Sequence, residues 1–321
     1  MKKLLLFLKI KIILKLGPNP YFFFNINSLK YKYCSMHYKN VGSILSSNCG
    51  MNIYRGCTHG CIYCDSRSKI YNMNHKFEDI EVKQNSLILL KKALKSRKKC
   101  MIGTGAMSDP YMPIEKHLKY TRESLKLIYK YGFGFTCITK SDLILRDLDL
   151  LKKINNKTKT VVQMTLTTTD EDLCKIIEPN VISTYERFKV LKTFENVDIP
   201  TVVWLTPILP FINDTKDNIK GIVDYCIDAN VYGIICFEMG LTLREGNREY
   251  FYSKLDDYFP GLKDKYIKTF KDNYNLPSPN NNHLMRIFKK KCKENGIIVN
   301  NNKIFNYLSE FPSDDYQSTL M

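Results

Sequence analysis

No stretch of the 321 residues is long and apolar enough to suggest a membrane span. No uninterrupted apolar run approaches the roughly 18–20 residues that such a helix needs. Internal repeats and long flexible linkers are also missing, which excludes solenoids and loosely tethered modules. The first 35 residues contain no acid. They open with MKKLLLFLKIKIILKLG, which imitates a secretion signal. Its longest apolar run is only Leu4 to Leu8, because Lys9, Lys11 and Lys15 break the rest. No small-residue cleavage site follows, so export is not expected. The preferred reading is that the functional chain starts at Met36, with residues 1–35 as a non-core extension; an amphipathic surface helix is the alternative.

What is present is enough for a folded protein. Apolar residues make up 44% and aromatics 12%, which excludes general disorder and collagen-like repeats. Eleven cysteines, an odd number spread over a long chain, do not read as a secreted disulfide framework. A cytoplasmic location with no membrane partner is expected. The formal charge is +17, of which the seven lysines of residues 1–35 supply +7. A basic surface attracts nucleic acid or other anions. No dense Arg/Lys stripe interleaved with aromatics marks a dedicated groove, so nucleic acid stays an open partner.

From residue 84 onward, short apolar runs alternate with helical periods. The runs are Cys100–Gly103, Phe133–Thr139, Val161–Thr167, Thr201–Thr206 and Gly233–Glu238. Between them lie periodic sets such as Leu87/Leu90/Leu94 and Ile219/Ile222/Cys226, and Ser183-x-x-Glu186 opens one as a capping box. The repeat has the size of a βαβ unit. With a short strand at Met51–Tyr54, the pattern predicts an α/β fold, a partial (β/α)6 TIM-like barrel spanning residues 36–245. Residues 246–321, rich in Tyr, Asn and Lys, read as a C-terminal capping extension. In parallel sheets of this kind the chemistry sits at the carboxyl ends of the strands.

The sharpest feature is Cys57-x3-Cys61-x2-Cys64, three thiols in one glycine-containing loop just after the first expected strand. Three thiolates can hold three irons of a [4Fe-4S] cube and leave the fourth iron open to a ligand. A structural zinc is the rival and needs a fourth ligand, for which Cys49 or His59 is available. A redox pair at Cys61 and Cys64 leaves Cys57 unexplained. Cys100, Cys137, Cys174, Cys226, Cys236 and Cys292 read as small core residues.

This loop, C-x3-C-x-aromatic-C after the first strand of a β/α barrel, resembles that of the radical S-adenosylmethionine (radical SAM) enzymes. The resemblance is closer to the branch related to spore photoproduct lyase. It runs through Asn52-Ile53-Tyr54-Arg55-Gly56-Cys57, Gly103-Thr104-Gly105-Ala106-Met107-Ser108-Asp109-Pro110-Tyr111 and Thr139-Lys140-Ser141-Asp142. It continues in Pro207 to Asp214 and Asn247 to Tyr252, and covers about residues 36–312. The resemblance implies a [4Fe-4S] cluster on Cys57, Cys61 and Cys64 that cleaves S-adenosylmethionine and so generates a radical that abstracts hydrogen from a substrate. It also implies a one-electron donor such as flavodoxin or ferredoxin. Tyr63 would then lie beside the adenine. Gly105, Ser108 and Asp109 would lie near the methionine amino group, Lys140 at its carboxylate, and Thr165 near the ribose. One departure stands out: spore photoproduct lyases carry a cysteine hydrogen donor where this chain has Met107. A thioether does not return hydrogen as a thiol does, so repair of a thymine photoproduct is not expected.

Overall fold

The computed structural model describes residues 35–312, so the expected non-core character of residues 1–35 falls, Ser35 apart, outside the described residues. Its centre is a five-stranded parallel sheet in the order β4 (Met101–Thr104), β5 (Gly134–Thr139), β6 (Thr160–Thr165), β7 (Thr201–Trp204) and β8 (Gly233–Ile235). Helices connect successive strands, as the alternating pattern requires. The expected capping residue is in place: the Ser183 hydroxyl accepts from the Glu186 amide at 3.2 Å and opens the helix Thr184–Glu195.

The period-2 alternation of the strands sorts their side chains onto two faces. Ile102, Phe135, Cys137, Val162, Met164, Val203 and Ile234 pack with the connecting helices in the main core. Met101, Val161, Val202 and Ile235 face the other way and pack on Ile304 and Leu308 of the last helix, Asn301–Ser309. The C-terminal segment is therefore divided. Residues from Leu241 to Leu276 join a separate apolar cluster with Cys61, Ile62 and Tyr63, which puts them over the cysteine loop. Beyond them, Leu284, Phe288 and Cys292 enter the main core, and Ile298 forms a parallel bridge to Gly233 at the free edge of β8.

The first expected strand differs from the reading above. Only Gly50 touches the main sheet, through a single parallel bridge to Gly103, and the Met51 amide donates to the Gly103 carbonyl at 2.7 Å. The chain then leaves, and β2 (Tyr54–Arg55) pairs antiparallel with β3 (Ile80–Lys83). With β1 (Met36–Lys39), which runs parallel to β3, they form a three-stranded side sheet that the mixed polar sequences MHYK and IEVK did not announce. The partial barrel therefore has five full strands and a one-residue bridge in the sixth place.

The same bridge corrects the reading of two cysteines. Running residues 49–51 alongside β4 brings the Cα atoms of Cys49 and Cys100 to 6.8 Å, and the two form a disulfide. That spacing lies within the range a disulfide accepts. Cys100 is thus not a free core thiol, whereas Cys137, Cys174, Cys226, Cys236 and Cys292 are free and buried as expected. Among the described residues no helix is long and apolar enough to cross a membrane.

Candidate active site

Cys57, Cys61 and Cys64 are all free thiols, carried by the loop that follows β2. Two glycines shape the entry to this site. Gly56 has φ +87°, and a Cβ there would lie 2.5 Å from the Phe77 carbonyl. Gly105, past the end of β4, has φ +99°, and a Cβ would meet the Ile138 carbonyl oxygen at 2.0 Å. Only glycine fits such positions. The loop is pinned from outside: the Ile62 amide donates to Ile177 O at 3.0 Å, and the Asn180 side chain donates to Thr58 O at 2.9 Å.

Burial pushes the Cys57 thiol well up, and the Cys61 thiol to about 12. Both therefore stay protonated at neutral pH until iron displaces the protons, the usual coupling of metal and proton binding. The three free thiols fit a three-thiolate cluster, and of the two candidate fourth ligands of a zinc site only His59 stays available. Cys49 is consumed by its disulfide with Cys100 and so supplies no fourth ligand. His59 is buried, and its Nδ1 lies 3.4 Å from the Asp109 carboxylate. Burial, only partly opposed by Asp109, lowers the pKa of His59.

The residues expected around the cofactor do gather here, though with unequal freedom. Ser108 Oγ donates to the Gly56 carbonyl at 2.5 Å, and so ties the end of β4 to the start of the cysteine loop. The Asp109 carboxylate accepts from Thr139 Oγ1, the Tyr111 amide and the Lys140 amide, each at 2.8 Å. Ser108 and Asp109 thus act as struts between strand ends, with their polar atoms already engaged. Lys140 is different. Its backbone is fixed by Asp109, while its ammonium makes no hydrogen bond or ion pair among the described residues and lies 5.7 Å from the centre of the Tyr63 ring. Burial opposes that charge, but Cys61 and Glu178 outweigh it and raise the pKa above the ordinary lysine value. Because the Cys61 thiol is protonated at neutral pH, Glu178 is the partner that counts there. Thr165 ends β6; its carbonyl accepts from Arg187 Nη1 at 2.8 Å, and its hydroxyl has no partner among the described residues.

Two further residues went unnoticed in the sequence. Glu178 and Arg187 form a buried ion pair behind the loop, and the Tyr63 hydroxyl donates to Glu178. Arg187 also donates to Cys174 Sγ at 3.1 Å, and Thr167 donates to Glu178 at 3.4 Å. The signal was available. Arg187 shares one helix face with Val190, Leu191 and Phe194, all buried, and a charge at a core position of a helix needs a partner.

A family model described as the Radical SAM superfamily matches residues 51–226, more than half of the chain. An uncharacterised protein of Methanocaldococcus jannaschii is 37% identical over 169 residues, covering 52% of this chain and 62% of that protein. The match therefore spans less than two thirds of that relative. An uncharacterised protein of Mycobacterium tuberculosis is 24% identical over 234 residues, 71% of this chain and 68% of its own length. Among solved structures, a spore photoproduct lyase variant aligns with a TM-score of 0.59 at 12% identity, covering 81% of this chain and 79% of that one. A second variant, with bound AdoMet and dinucleoside spore photoproduct, aligns at 0.56 and 12% identity, covering 76% and 72%. At such identity the likeness is one of fold.

Proposed function

The chain belongs to the radical SAM superfamily, and from that premise we propose that it is an enzyme using a [4Fe-4S] cluster on Cys57, Cys61 and Cys64 to cleave S-adenosylmethionine reductively and abstract hydrogen from a substrate. The observation that carries this reading is the meeting of three free thiols with the Lys140 ammonium, which makes no hydrogen bond or ion pair among the described residues, at the carboxyl ends of the central strands. When bound, the cluster supplies the electron that splits the sulfonium–carbon bond of S-adenosylmethionine. The protein's share is to bind, orient and shield. Lys140 offers a cation to the methionine carboxylate. Tyr63, its hydroxyl held by Glu178, offers a fixed ring at the cofactor. Thr165 offers a free hydroxyl at the end of β6. The segment from Leu241 to Leu276 covers the loop with apolar surface, which keeps water from a reactive centre. A flavodoxin or ferredoxin is the class of donor that would supply the electron.

The test is anaerobic purification with iron and sulfide, followed by reduction with dithionite and measurement of 5′-deoxyadenosine. Release that depends on S-adenosylmethionine is the expected result, and none from a fully loaded cluster would overturn the reading. The spore photoproduct lyase fold favours a second reading, repair of a DNA photoproduct. Met107 opposes it, since a thioether has no S–H to return. An irradiated oligonucleotide separates the two, and the expected result is that its photoproducts remain.

A further inference from the structure

A cavity of about 340 Å³ lies over the three-stranded side sheet and meets the active-site loop only at its edge, where Gly56 and Met107 line it. None of the three cluster cysteines lines it. Its volume falls at the lower end of the roughly 300–1,000 Å³ typical of small-ligand pockets. The sheet register decides its charge. Lys39 of β1 is the direct partner of Lys83 of β3, and Arg55 of β2 is the direct partner of Glu81. Side chains at i and i+2 share a face, so all four charges project to the same side, and all line the cavity.

Like charges placed directly opposite on neighbouring strands are unfavourable by themselves. Glu81 neutralises Lys39, whose Nζ lies 3.1 Å from its carboxylate. That leaves two cations. The Lys83 ammonium has no hydrogen-bond or ion-pair partner among the described residues. Arg55 uses only Nη2, on the carbonyls of Tyr71 and Asn72, so its Nε and Nη1 protons are free among those residues. Asn52 and Ser66 also line the cavity, and their side chains have no hydrogen-bond partners there. Burial lowers the pKa of Lys83; Glu81 opposes the shift, and Arg55 and Lys39 add to it.

We propose that this cavity binds the phosphate group of a ligand, with Arg55 and Lys83 supplying charge and Asn52 and Ser66 supplying further hydrogen bonds. A phosphate monoester carries about −1.5 to −2 at pH 7 and so matches two unneutralised cations, where a carboxylate would leave one over. The guanidinium fork matches its oxygens. The remainder of the ligand leaves past Gly56 and Met107, toward the cysteine loop. The phosphate is a terminal monoester, carried either by a small phosphorylated molecule or by a 5′-phosphorylated nucleic-acid end.

Calorimetric titration of the full chain with inorganic phosphate at low ionic strength tests the site. Saturable binding is expected, weakened about 10-fold or more in Lys83→Gln and in Arg55→Gln. Lys83 has no side-chain partner to lose, so its variant keeps its fold, which thermal melting checks. Glu81→Gln should tighten binding several-fold by removing the one negative charge, a change that a merely structural role would not produce. No saturable binding at millimolar phosphate, or equal binding in Lys83→Gln, would overturn the proposal. Displacement by a 5′-phosphorylated DNA oligonucleotide would assign the site to nucleic-acid ends, displacement only by a 5′-phosphorylated nucleoside to a small molecule, and displacement by an unphosphorylated oligonucleotide would overturn the monoester match. None of these results depends on a loaded cluster, so a failure of S-adenosylmethionine cleavage and a failure of phosphate binding are read separately.

Discussion

Glu178 and Arg187 face each other with both side chains fully buried, and this pair connects the cysteine loop to the central sheet. Through Glu178 it holds the Tyr63 hydroxyl, and through Arg187 it holds the Thr165 carbonyl at the end of β6. A buried ion pair is weak evidence for net stability, but breaking one by removing a partner is strongly destabilising. The pair therefore makes the position of Tyr63 depend on a residue more than a hundred positions away.

Glu178→Gln should cost about 3–5 kcal/mol at pH 7, because Arg187 is left buried without its counter-charge. The variant should also respond differently to acid. Burial acts to raise the pKa of Glu178, but Arg187 and Lys140 outweigh it and hold the carboxyl below its ordinary 4.5. A depressed carboxyl stabilises the fold above that ordinary value, and the contribution is lost as pH falls through the lower folded-state value. Melting curves from neutral to acid pH should therefore converge for wild type and variant. Curves that stay parallel would show that Glu178 does not carry this charge.

Replacing Cys57, Cys61 or Cys64 by Ala should each abolish the cluster, measured as bound iron and sulfide. Cys49→Ala should keep it, since Cys49 is bonded to Cys100 and not to the loop. Its cost should appear as stability: a bridge closing 51 residues is worth about 4 kcal/mol by chain entropy, and typically about 2–4. Iron lost from the Cys49 variant would mean a four-cysteine site.

In the proposed site, Lys140→Ala would remove one charge-assisted contact to the methionine carboxylate. Affinity for S-adenosylmethionine should fall roughly 10- to 150-fold, equivalent to about 1.5–3 kcal/mol, as read by equilibrium binding to reconstituted protein. Iron content should not change, because no thiolate is touched. Unchanged affinity would assign the carboxylate to another residue.

Gly105→Ala should unfold the strand end. Left-handed strain alone costs roughly 1–2 kcal/mol, and the Ile138 carbonyl oxygen, 2.0 Å from the new Cβ, belongs to a backbone that cannot step aside. Loss of soluble protein, or a melting temperature lowered by many degrees, is the expected outcome. Gly103→Ala is the control, since its Cβ would meet only Thr136 Cγ2 at 3.7 Å.

The parts of this protein that could be read from the chain are those written in local patterns. Alternating runs and helical periods gave β4 to β8 and their connecting helices, because burial on both faces of a parallel sheet leaves apolar strands that polar turns punctuate. The cysteine loop was legible because its three thiols stand at close spacing within a single loop. Lys140 and Gly105 were legible from their places at strand ends.

Tertiary structure alone decided the rest, for reasons of distance and company. The Met51–Tyr54 segment has strand-like composition, but its hydrogen bonds are divided between Gly103 and β3, which only three-dimensional neighbours determine. The bond between Cys49 and Cys100 follows from the Gly50–Gly103 bridge, and no spacing rule pairs cysteines across 51 residues. The resemblance gave Ser108 and Asp109 a place near the cofactor; only the fold shows that Ser108 bonds the Gly56 carbonyl and that Asp109 accepts from Thr139 Oγ1 and the Lys140 amide. The same holds for Lys39, Arg55 and Lys83. In the sequence they are three basic residues in a basic chain, and the strand register turns them into one charged wall.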